Sequence, residues 1–150
     1  MREIKFRAWD KDSNKMIFQH DTNGVLETND YYFSLNEDDV VLLYYDEDYC
    51  DYLVCNAKLM QYTGIKDKNE KEIYEGDIVK FIDEEVTYSD CGYDYDEFIN
   101  TGRVIFNDKL MGWDITNRNM DLEEIWHYSE YIEVVGNIFE NPGLLKDFIE

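Results

Sequence analysis

Long apolar runs are missing from this chain, and positive charge is scarce. No stretch approaches the roughly 20 apolar residues that a bilayer-spanning helix needs. The opening Met1-Arg2-Glu3-Ile4-Lys5-Phe6 turns polar at Asp10 without an apolar core of signal-peptide length. A soluble cytosolic protein is the expectation. Lys and Arg number 14 against 35 Asp and Glu, a formal net charge of -21 over 150 residues. That balance excludes non-specific binding to nucleic acid or to an anionic membrane surface, since both depend on cations meeting phosphate. Cysteine is equally sparse: Cys50, Cys55 and Cys91 form no close pair, and only His20 and His127 could complete a metal set. Tetrahedral zinc sites bring their ligands in tight pairs, so reduced thiols are expected and no metal is assigned.

Catalytic signatures are absent too. The chain has no GxSxG, no Walker loop, no GxGxxG and no HExxH. With 35 carboxylates, any acid–base pair can be imagined and none singled out. His20 near a strand end and His127 beside Trp126 read as surface or core-edge residues. The expectation is a protein that is not an enzyme and carries no cofactor.

What is present suffices for a core. Apolar residues make up 44% of the chain and aromatics 16%, and the length fits a single domain over residues 1–150. Ile4, Phe6 and Ala8 alternate with Glu3, Lys5 and Arg7, the period-2 pattern of a half-buried strand. Asp10 to Asn14 supplies a turn and Met16 to Gln19 a second strand, giving a hairpin over residues 3–19. Tyr31 to Leu35 reads as a strand, and Val40 to Tyr45 as a strand covered on both faces. Leu59 to Tyr62, Ile73-Tyr74, Ile78 to Phe81, Gly102 to Phe106 and Gly112 to Ile115 follow as strands. Lys66 to Lys71 forms a charged turn between the first two. Glu75-Gly76-Asp77 bends the chain, with glycine where φ > 0 is needed; such a corner feeding a β-branched strand is the way SH3-like barrels pass from one sheet to the other.

Helix is expected only late. Asp121 with Glu124 three residues on is a capping-box variant, placing Leu122, Ile125 and Trp126 on one face of a helix ending near Tyr128. Tyr131 to Phe139 is a strand again. Asn141-Pro142 reads as an N-cap with proline at N1, opening a closing helix with Leu144, Leu145 and Phe148 as its stripe. The fold class is mainly β with two short helices, an SH3-like barrel element and additional hairpins.

Charge is concentrated. From Glu27 to Cys55 there are nine acids, and from Asp83 to Asn100 seven, with no Lys or Arg in either stretch. Nine of the thirteen tyrosines lie there as well. These segments, about 27–55 and 83–100, read first as solvated loops. Their tyrosines argue that part of them is ordered, on the domain or against a partner. Asp46, Glu47, Asp48, Asp51, Asp83, Glu84, Glu85, Asp90, Asp94, Asp96 and Glu97 are the candidate acidic partner surface. Asp90, Asp94, Asp96 and Glu97, and likewise Asp46, Asp48 and Asp51, are dense enough to raise weak divalent-cation binding, although neither group has EF-hand spacing.

Four blocks carry a family resemblance. They are Ile4-Lys5-Phe6-Arg7-Ala8-Trp9-Asp10, then Leu59 to Asn69, then Glu72-Ile73-Tyr74-Glu75-Gly76-Asp77-Ile78-Val79, and finally Tyr131 to Pro142. In this order and spacing they resemble the YopX family of bacteriophage and prophage proteins. One departure falls at Glu70, where the family pattern has glycine after Asn69. The resemblance implies a mainly β fold with an SH3-like barrel element, a homo-oligomer and a bacterial host cytoplasm; it implies no established molecular function. A non-enzymatic interaction protein that binds itself, with charge serving solubility, is therefore the leading expectation. The alternative partner is a basic protein, for which the acidic surface would imitate DNA.

Overall fold

The computed structural model describes residues 3–19, 31–36, 39–121, 126–127 and 129–148. Eleven strands and two short 3-10 helices stand among them, so the chain is mainly β. It forms two compact units, Met1–Tyr62 and Thr63–Glu150.

In the first unit, β1 (Phe6–Asp10) and β2 (Lys15–Phe18) make the expected hairpin, antiparallel from Arg7↔Phe18 to Asp10↔Lys15. The other side of β1 pairs with the start of β6 (Ala57–Lys66), Phe6 opposite Gln61 and Asp10 opposite Ala57. Being central, β1 is covered more fully than its alternation suggests. Ala8 is wholly buried, and Arg7 on the opposite face is buried as well, its Nη2 3.7 Å from Met60 Sδ. A separate sheet has the order β3 (Tyr31–Asn36), β4 (Asp39–Asp46), β5 (Asp51–Val54). The strand expected to be covered on both faces is β4, and it is not: Leu42 is buried, while Val41, Leu43, Tyr44 and Tyr45 are only partly so.

The second unit is built on β7 (Glu72–Tyr74), β8 (Asp77–Ser89), β9 (Gly92–Asn107), β10 (Gly112–Ile115) and β11 (Glu133–Asn137). Four of these make a sheet in the order β10-β9-β8-β11, and β7 pairs with the end of β6. Ile73, Val79, Phe81, Val104, Ile115 and Ile132 form its core, with Trp113, Met120, Trp126 and Val134 packed against them. The corner at Glu75-Gly76-Asp77 is as expected. Gly76 has φ 84°, Asp77 Oδ2 accepts the Tyr74 N–H at 2.8 Å, and the Gly76 N–H donates to Val104 O. Asp67 organises the charged turn by accepting the N–H groups of Asn69 and Lys71 on Oδ1 and that of Val134 on Oδ2. Glu70 sits there at φ 63°, in the left-handed region where glycine is the unstrained residue.

The two expected helices are not supported. Pro142–Phe148 is a 3-10 helix, because Asn141 does not cap it with its side chain: Oδ1 accepts the Asn137 N–H instead, and Asn141 O accepts the Leu144 N–H three residues on. Of the helix expected over 121–128, residues 122–125 and 128 lie outside the described residues. Trp126 docks by donating its Nε1–H to Trp113 O at 3.0 Å. No helix is long and apolar enough to cross a membrane among the described residues.

Candidate functional site

The most unusual element is the β8–β9 hairpin. Its strands run 13 and 16 residues, where strands of 3 to 10 are usual. At the base, β11 flanks β8 over Asp77–Lys80 and β10 flanks β9 over Val104–Asn107. From the pair Phe81↔Asn100 outward to Ser89↔Gly92 no third strand pairs with either of them among the described residues. Ile82 to Ser89 spans about 24 Å at roughly 3.4 Å per residue. The segment 83–100 is thus an ordered arm, not a solvated loop.

Antiparallel pairing puts opposed residues on the same face. Ile82, Glu84, Val86 and Tyr88 therefore share one face with Ile99, Glu97, Tyr95 and Tyr93. The opposite face carries Asp83, Glu85, Thr87 and Ser89 with Phe98, Asp96 and Asp94. The outer half of the first face is tyrosine: Tyr93 and Tyr95 meet edge to face at 5.2 Å, Tyr88 lies 6.4 Å from Tyr93, and all three are mostly exposed. Like charges stand directly opposite one another twice, Glu84↔Glu97 and Glu85↔Asp96. Opposed carboxylates destabilise a strand pair, and no Lys or Arg lies between Phe81 and Thr101 to offset them.

One of the candidate acids does not belong to any surface. Asp83 is fully buried and anchors the arm's base: Oδ2 accepts Asn100 Nδ2 and the Asn119 N–H, and Oδ1 accepts the Met120 and Glu84 N–H groups, all at 2.8–2.9 Å. Burial by itself would raise its carboxyl; the hydrogen bonds from Asn100, Met120, Asn119 and Glu84 outweigh burial and hold it below the usual Asp value. Glu85, Asp90, Asp94, Asp96 and Glu97 are exposed and Glu84 partly so. In the first unit, Asp46 and Asp51 face each other across the β4–β5 turn and shape it. Asp46 Oδ1 accepts the Asp48 and Tyr49 N–H groups, Asp51 Oδ1 the Tyr52 N–H, and Glu47 and Asp48 are exposed at the tip. Of the seven arm acids, six are spread along the exposed ribbon and Asp83 is buried at its base, while Asp46, Glu47, Asp48 and Asp51 sit at the β4–β5 turn.

A second polar cluster escaped sequence reading. Asp10, Asp12, Ser13, Tyr31, Tyr44 and Cys55 line a recess of about 280 Å³ in the first unit. Asp10 Oδ2 accepts Ser13 Oγ at 2.8 Å and Tyr31 Oη at 3.1 Å. Burial would raise Asp10, and the Ser13, Asp12 and Tyr31 hydrogen bonds lower it; burial with Asp10 and Asp12 nearby pushes the Cys55 thiol up to about 11. A thiol so displaced is protonated at neutral pH and a poor nucleophile. Among the described residues no three His, Cys, Asp or Glu side chains are grouped to hold a metal ion. The acids of the arm are strung along a ribbon rather than converged. His127 is exposed, and His20 lies outside the described residues.

The chain is similar in structure to the crystal structure of protein EF1440 from Enterococcus faecalis, with a TM-score of 0.55 and 25% identity over 97% of this chain and 100% of that one. The search of the curated proteins found no match. The family described as YopX protein matches residues 5–146, nearly the whole length and all four sequence blocks apart from Ile4. On that match the chain belongs to the YopX family.

Proposed function

We propose that this is a non-enzymatic interaction protein of phage or prophage type, working as a homo-oligomer in a bacterial cytoplasm, with the β8–β9 arm as its contact element. The observation that carries the reading is the arm's isolation. A two-stranded ribbon exposed on both faces is marginal in water, and three or more strands or a packed face are needed to hold it. Its outer tyrosine face, Val86, Tyr88, Tyr93 and Tyr95, offers large apolar area with hydroxyl handles, the composition enriched at protein interfaces. The acids Glu85, Asp94 and Asp96 lie on the other face, so two tyrosine faces can meet while these stay in water. The scaffold reading that accompanies it is an SH3-like barrel element, supported by the glycine corner between β7 and β8.

Light scattering tests this. The wild-type chain at micromolar concentration is expected to weigh two or more copies, and Tyr88→Ser/Tyr93→Ser/Tyr95→Ser to lower that mass. A strict wild-type monomer, or a mass unchanged in the triple variant, would defeat the arm as the contact between copies.

A second reading has its own observation. The six acids of the arm other than Asp83 lie within about 20 Å of its length, a mean charge density near that of a single nucleic acid strand, although four of them stand as opposed pairs. Competition with DNA for a basic protein, lost at high salt, would distinguish this from self-assembly.

A further inference from the structure

At the base of the arm is a cavity of about 420 Å³, lined by Phe81, Ile82, Glu84, Glu97, Met120, Tyr131 and Ile132. Among the described residues its lining is apolar and aromatic apart from Glu84 and Glu97, which stand opposite each other across the strands. We propose that this cavity receives a lysine or arginine side chain of a basic partner polypeptide lying along the arm. The inference rests on the reading of the arm as a contact element and assigns the partner's chemistry at its base.

Three features fit that occupant. A long cationic side chain has an apolar stem and a charged head, and the cavity offers Ile82, Met120 and Ile132 for the stem. The head would meet two carboxylates that no cation offsets among the described residues, with Tyr131 in the same lining, whose ring attracts a cation electrostatically. Glu84 and Glu97 repel each other across the strands, and a cation between them turns that repulsion into attraction for both. The pair thus costs the free arm stability and returns it only in the complex, as binding sites commonly do. A neutral side chain gains at most a hydrogen bond from the pair, and an anionic or purely apolar one gains nothing.

The test uses the full chain and fluorescein-labelled decapeptides of alternating lysine and serine, with arginine–serine and glutamine–serine counterparts, read by anisotropy at 50 and 150 mM salt. The lysine and arginine peptides are expected to bind and the glutamine peptide not. Glu84→Gln/Glu97→Gln should weaken binding at least fivefold while melting at the same or a higher temperature, since it removes a repulsion. Glu70→Gln/Asp108→Asn, which deletes the same two charges from exposed turns of the same unit, should change binding less than twofold. On titration, the methyl signals of Met120 and Ile132 should shift and that of Met111, on an exposed turn, should not. Equal weakening by the two double variants would reduce the effect to net charge and overturn the cavity, as would unbound cationic peptides or unmoved methyl signals. Loss of self-assembly in Glu84→Gln/Glu97→Gln would make the occupant a second copy and also overturn it. Failure of the arm itself shows separately, as an oligomer mass unaffected by the triple tyrosine variant.

Discussion

Replacing Asp83 by Asn tests whether one buried carboxylate holds the arm to its scaffold. The carboxylate accepts four hydrogen bonds, two on each oxygen: Asn100 Nδ2 and Asn119 N on Oδ2, Glu84 N and Met120 N on Oδ1. An amide keeps one acceptor oxygen and presents its NH2 where the other stood, so two donors face a donor whichever way it turns. At roughly 1–3 kcal/mol for each buried donor left unsatisfied, Asp83→Asn should cost about 3 kcal/mol. For a chain of this length that lowers the melting temperature by roughly 6–12 °C. Circular dichroism or urea denaturation reads the global loss, and amide hydrogen exchange at Asn119 and Met120 should accelerate ahead of the core strands. The pH dependence adds an independent sign. A carboxyl lowered in the folded state contributes stability above the ordinary Asp value of about 3.9 and loses it as pH falls through the folded value. The wild type should therefore lose stability below about pH 4 more steeply than the variant. A variant within 0.5 kcal/mol of wild type, roughly the scatter of a neutral surface change, would refute the anchoring role.

Glu70→Gly should stabilise the chain by about 0.5–1 kcal/mol, because a left-handed L-residue costs roughly 1–2 kcal/mol and glycine's extra chain entropy gives back only part of it; a urea midpoint that falls would contradict this. Gly102→Ala should destabilise by about 1–3 kcal/mol, since a Cβ there would overlap the backbone oxygen of Thr116 and Cγ2 of Ile115; an unchanged melt would mean that β10 shifts freely. Iodoacetamide at pH 8 should label exposed Cys50 and Cys91 long before Cys55, whose thiol, pushed up to about 11, is ionised on the order of one part in a thousand at that pH. Mass spectrometry that found the three labelled together in the native protein would overturn that environment.

Most strands were legible because each pairs apolar alternation with a turn signal, as in Phe6–Asp10 with Asn14 beyond it, or Asp77 after Gly76. Where the signals part company, reading from sequence fails. The arm has the alternation, Ile82, Glu84, Val86, Tyr88 and then Tyr93, Tyr95, Glu97, Ile99, with Cys91-Gly92 between. Five of these eight are acid or tyrosine, since no core demands otherwise, and density of charge hid the period of two. Asp83 could not be told from its neighbours, because its burial comes from the backbone of Asn119 and Met120, distant in sequence. The Asn141-Pro142 cap was misread for a related reason: an N-cap side chain can serve any nearby N–H, and Asn137 competes for it. The Asp10–Tyr31 contact and the cavity at Glu84 and Glu97 depend on pairing between strands, which a linear pattern does not contain.

With no third strand along the outer arm among the described residues, its two strand edges each present a row of amide and carbonyl groups able to template another strand. Edge-to-edge zipping of two arms would set Glu85, Asp94, Asp96 and their opposite numbers in register, charge against charge. Acids so placed act against pairing through an edge, as charged gatekeepers on exposed strands do. Salt sets the strength of that prohibition, since screening shortens the reach of exposed charge from about 10 Å at 0.1 M to about 3 Å at 1 M. A charge that discourages edge pairing would thus come from the same residues that set like charges against each other within the arm, Glu84↔Glu97 and Glu85↔Asp96.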